Sequence, residues 1–125
     1  MNKDAVIAAW SNYQQWWSTA RDKDILRFRT ISWPTVTTIT AAEDLTVNRI
    51  ASFVLSPHHS QDKSPKDRIK EQLLRWHPDR FEGRYLPKVP ADERDAVRQG
   101  VGQVVKALND LMSRDRDNPF ARERS

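Results

Sequence analysis

The residues best placed to do chemistry lie together in the run Leu73-Leu74-Arg75-Trp76-His77-Pro78-Asp79-Arg80-Phe81. Proline disfavours the α conformation in the residue before it. His77 should therefore leave the helix that precedes it, and its imidazole and the Asp79 carboxylate should project from one stiff corner. An imidazole and a carboxylate could serve as a general base and its orienting partner. Residues two apart around a proline do not naturally form the hydrogen bond such a pair needs, and no nucleophile motif lies nearby, so no enzymatic activity is expected. A metal site would have to gather His58, His59 and His77 with an acidic side chain. Adjacent histidines point apart and no ligand spacing is present, so a solvated loop with no metal and no cofactor is expected there. Recognition is the remaining chemistry. Asp79 can accept charge-assisted hydrogen bonds from a partner's arginine, and Lys70, Arg75 and Arg80 would steer an acidic surface toward the corner.

The elements that must position this corner are helical. Ser64 is a candidate N-cap, Pro65 suits the first helical position, and Asp67 sets negative charge against the positive end of the helix dipole. Ile69, Leu73 and Trp76 then make one inner face, with Arg68 and Arg75 opposite and Lys66 and Lys70 flanking, and Pro78 closes the helix. The segment from Arg80 to Ala91 reads as a loop with Tyr85 and Leu86 as pegs. Asp92 is placed to cap a long helix in which Val97, Val101, Val104, Leu108 and Leu111 alternate by four and three, supported by Val105 and Met112. Gly100 and Gly102 each cost about 1 kcal/mol relative to Ala inside a helix, so they mark the close approach of another element or an irregular first half.

Upstream, Val6, Trp10, Tyr13, Trp17 and Ala20 form the stripe of an N-terminal helix. Trp16 falls outside the stripe and is either a second packing contact or an anchor for a partner. Residues 28–40 are rich in β-branched types but carry Pro34, and nothing else in the chain resembles a strand to pair with. They are expected to form an extended strap with Trp33, Val36 and Ile39 as buried pegs. A second helix follows, capped by Thr40 with Glu43 or by Thr46, with Ile50, Phe53 and Val54 inward, and it ends at Ser56-Pro57.

The chain of 125 residues fits one all-α domain, with 21 basic against 17 acidic residues, a net charge of +4 and no cysteine. The charges are interleaved, so the pI near 9.7 does not mark a nucleic-acid binder. The apolar runs are too short for a membrane span and the first residues do not form a signal peptide, so a cytoplasmic or nuclear setting is expected. Beyond Arg114 the charges alternate without periodicity and only Phe120 could dock, so residues 115–125 are expected to form a charged flexible tail.

Leu73-x-x-x-His77-Pro78-Asp79-Arg80 after a basic helix, then a helix ending Val105-Lys106-Ala107-Leu108-Asn109-Asp110-Leu111-Met112-Ser113, resembles the second helix, loop and third helix of a J domain. That resemblance implies an antiparallel pair, about 65–76 and 93–114, joined by a His-Pro-Asp loop. It also implies docking on a DnaK-type heat-shock chaperone whose ATP hydrolysis is stimulated, with His77, Pro78, Asp79, Lys70, Arg75 and Arg80 as the contact residues. Ile69 and Gln72 stand where J domains usually carry Tyr and Leu, and Asn109 where they usually carry Tyr. Over most of the chain the order of a tryptophan-bearing helix, a strap with Trp33-Pro34 and the Arg75–Phe81 run is similar to the C-terminal region of NF-kappa-B inhibitor-like proteins and short fungal proteins akin to it. This implies a divergent J-like module over 1–114, with the helix at 1–20, the strap at 28–40 and a J-like core at 41–114. A scaffold binding some other protein in a nuclear complex is the alternative function.

Overall fold

The computed structural model describes residues 2–117. Five α-helices account for most of them: α1 (Lys3–Ser18), α2 (Val47–Val54), α3 (Pro65–Arg75), α4 (Pro78–Arg84) and α5 (Arg94–Asp117). No strand occurs among the described residues. Single 3-10 turns at Ala20–Asp22, Ala42–Asp44, Leu86–Lys88 and Ala91–Glu93 fill the connections.

Local chemistry sets most of the helix starts. The Ser64 side chain accepts from the Asp67 amide, with Pro65 in the first turn of α3. Thr46, rather than Thr40, caps α2 by accepting from the Arg49 amide. Asp44 instead of Glu43 binds back to Thr40 and Ala41, steadying the 3-10 turn before α2. At the other end, α5 starts at Arg94 because Asp92 is taken up in the preceding turn, and it runs on to Asp117. Residues 118–125, with Phe120 and most of the expected tail, lie outside the described residues.

The valine and leucine stripe of α5 is buried, and α2 and α3 pack on it and on each other. Above them sits an aromatic layer centred on Trp76, which is fully buried. Trp33 from the strap stacks on one side of Trp76 at 5.1 Å and Phe81 of α4 lies parallel at 5.7 Å, while Trp17 of α1 meets it edge-on at 4.8 Å. Trp76 Nε1 donates to Tyr13 Oη at 2.9 Å, and Tyr13 donates to Gln72 Oε1 at 2.6 Å. Burial pushes the Tyr13 hydroxyl up to about 12, so it stays protonated and can act as that donor.

The strap crosses α5 at Gly100, where an added Cβ would lie 2.6 Å from Trp33 Cη2. Of the expected pegs, Trp33 and Ile39 are buried and Val36 is half-buried. Leu26 bonds the Lys88 carbonyl, and Glu93 takes both the Phe28 amide and the Arg27 guanidinium, tying the strap to the turn before α5.

Three expectations fail. The segment after His77 is not a His-Pro-Asp loop: His77 is the N-cap of α4, Pro78 its first residue, and Phe81 bonds back to the His77 carbonyl at 2.8 Å. A proline that stops one helix also suits the first turn of the next, and here the burial of Phe81 within α4 and of Tyr85 at its C-cap selects the second role. Arg68 does not face solvent; it is 8% exposed, and its Nη2 donates to the Ser56 carbonyl at 2.7 Å. His59 is not in a solvated loop either, because Trp10 of α1 stacks face-to-face on its ring at 3.8 Å.

Candidate functional site

The corner at residues 77–80 is held from below by its two neighbours in sequence. Trp76 and Phe81 are both buried in the aromatic layer, so the residues between them are pinned at each end and turned outward. His77, Pro78, Asp79 and Arg80 are all exposed. His77 makes no side-chain capping bond, and no hydrogen bond or ion pair joins the Asp79 carboxylate to another described residue. No bond links His77 to Asp79, as expected from their spacing around proline. Both groups are available to something outside the chain.

Of the basic residues predicted beside them, Lys70 is exposed on α3 and Arg80 lies in the first turn of α4. Arg75 is half-buried and fixed. Its Nη1 donates to Gln14 Oε1 at 2.9 Å, and its guanidinium carbon sits 5.2 Å and 5.4 Å from the ring centres of Tyr13 and Trp17. The N-terminal helix therefore sets the direction of a charge at the end of α3. Trp16 is half-buried, edge-on to Trp17 at 5.0 Å, with the Lys23 ammonium 5.5 Å from its ring centre. It packs on the core and does not adjoin the corner through any ring contact with Trp76 or Phe81.

Arg84 belongs with these residues and was missed by sequence reasoning. Arg80 and Arg84 are four apart, which places both on one side of α4, but that spacing has meaning only once the segment is known to be helical. Arg21, in the turn after α1, joins the same basic surface through the packing of α1 on α3. No group of three or more potential metal ligands gathers among the described residues, and no helix among them is long and apolar enough to cross a membrane.

Comparison with known proteins gives one family: the model of the NF-kappa-B inhibitor-like protein 1 C-terminal domain matches residues 48–116. The match spans α2, α3, α4 and nearly all of α5 and so contains the whole corner. No curated protein and no solved structure matches the chain.

Proposed function

Because the chain belongs to the NF-kappa-B inhibitor-like protein 1 C-terminal domain family, we propose that it is a protein-docking module whose contact surface is the His77-Pro78-Asp79 corner with Lys70, Arg75 and Arg80. The finer reading is a J-like co-chaperone: α3 and α5 act as the helix pair, and the corner engages a DnaK-type heat-shock chaperone in the cytoplasm or nucleus and speeds its ATP hydrolysis. On this reading the module has no catalysis, metal or cofactor of its own.

One observation carries the proposal. Asp79 is an exposed carboxylate without a partner among the described residues, mounted on a corner that two buried aromatic rings hold still. A carboxylate presented this way loses little freedom on docking and can take a bidentate arginine. The fixed guanidinium of Arg75 and the exposed Lys70 and Arg80 add attraction to an acidic partner.

The test is single-turnover ATP hydrolysis by an ATP-loaded DnaK-type chaperone with and without the full chain. Acceleration by the wild type that disappears with Asp79→Asn is the expected result. No acceleration across several such chaperones would overturn the co-chaperone reading. A second reading, a scaffold that binds another protein without stimulating a chaperone, is favoured by one feature. The His-Pro-Asp segment is wound into the first turn of α4, where the resemblance to J domains implies an open loop.

A further inference from the structure

A groove of about 450 Å³ opens between the end of α1, the outer side of α3 and α4, with Arg21, Glu71, Leu74, Arg75, Arg80 and Arg84 around it. Its four guanidinium groups come from three separate elements, and none forms an ion pair among the described residues. Outside the groove, Arg27, Arg49, Arg98 and Arg114 each meet a carboxylate, while Arg68 and Arg94 donate to the Ser56 and Val89 carbonyls. The acidic residue at the rim does not offset the four cations, because Glu71 already accepts from Lys63 Nζ at 2.7 Å. Leu74 is 59% exposed beside them and offers an apolar contact next to the four cations.

We propose that this groove takes a short extended acidic peptide segment of a partner protein, carrying an aliphatic side chain that lies against Leu74. The idea rests on the docking-module reading only in taking the ligand to be protein; it does not require a chaperone. Four cations spread over three elements suit several carboxylates distributed along an extended chain better than one compact phosphate, which would engage only the guanidiniums that converge on it. The aromatic residues beneath the arginines, Trp17 and Tyr85, are each 7% exposed and packed on one another and on Trp76 or Phe81, so no ring face is open to stack a nucleobase. Arg75 is held in place by Gln14, Tyr13 and Trp17, so one of the four charges is already oriented before a ligand arrives.

The experiment is fluorescence anisotropy of a labelled peptide, Asp-Glu-Leu-Asp-Glu-Leu, titrated with the full chain at moderate salt. Saturable binding is expected, and the double substitution Arg21→Glu with Arg84→Glu should weaken it by about tenfold or more. Both residues are exposed, so circular dichroism of the variant should match the wild type. Lys106→Glu, at a separate groove formed with Leu45 and Asp110, should leave the affinity unchanged within about twofold. The neutral peptide Asn-Gln-Leu-Asn-Gln-Leu should not bind. Equal weakening by Lys106→Glu, no binding at all, or tighter binding of oligouridine or of a singly phosphorylated neutral peptide would overturn the assignment. No chaperone is present in this measurement, so a failure to stimulate ATP hydrolysis leaves it standing. Loss of peptide binding with stimulation retained would remove the groove alone.

Discussion

Gly100 and Gly102 lie two residues apart in α5, yet the same substitution should affect them unequally. Either glycine replaced by alanine gains about 1 kcal/mol of helix propensity. At Gly102 a Cβ meets nothing within 4 Å, so that gain should appear undiminished. At Gly100 the Cβ would sit 2.6 Å from Trp33 Cη2 and 3.0 Å from Cζ3. The indole cannot retreat freely: its Nε1 donates to the Phe28 carbonyl at 2.9 Å, Phe28 packs 5.0 Å away, and Trp76 stacks on it. Overpacking of a well-filled core costs about 1–3 kcal/mol. The propensity gain is common to both variants, so Gly100→Ala should be less stable than Gly102→Ala by about 1–3 kcal/mol. Urea unfolding would show this as a lower midpoint with an unchanged slope. Combining Gly100→Ala with Trp33→Phe should recover part of the loss that the two single variants add up to, because the smaller ring makes room. Equal stabilisation by both alanines would refute the close crossing of strap and helix.

Two further predictions concern buried polar groups. Tyr13→Phe removes the acceptor of Trp76 Nε1 and the donor to Gln72 in one step, and should cost about 1–3 kcal/mol in urea unfolding; a change near zero would contradict the buried chain of bonds. His59 has its pKa held below the ordinary value near 6.5, first by burial and then by the neighbouring charges of Arg68 and His58, against the pull of the Phe53 carbonyl. The unfolded chain then takes up this proton before the folded chain does, so stability should fall as pH drops below about 6.5, by at most about 1.4 kcal/mol per pH unit for one proton. His59→Gln should flatten that decline between pH 7 and 5, and an identical decline in the variant would assign the effect to other groups.

The start of α3 was legible because its signals are local: Ser64, Pro65 and Asp67 act within one turn. The stripe of α5 was equally plain, since valine and leucine repeat over several turns and bury together. The corner could be read at Pro78, but α4 could not. Phe81 is its one buried residue and Tyr85 its C-cap, too few to establish a period, and proline after a helix signals both a stop and a start. Arg68 and His59 were misread for a different reason. Nothing within their own segments shows that Trp10, nearly fifty residues upstream, will cover His59 and that the Ser56 carbonyl will be turned toward Arg68. The Arg84 contribution depended on α4, and that of Arg21 on how α1 packs, so the basic groove was out of reach of any local pattern.

On the docking reading proposed above, the 77–80 corner is the surface a partner covers. Amide hydrogen exchange of the full chain, free and with an ATP-bound DnaK-type chaperone in excess, reads this directly. The Asp79 and Arg80 amides lie in the first turn of α4, where no intrahelical acceptor exists, so they should exchange fast in the free chain. Slowed exchange at those two amides and in the last turn of α3, with the segment around Leu45 and Lys106 unchanged, is the predicted result. A bound chaperone that leaves the exchange of Asp79 and Arg80 as fast as before would contradict it.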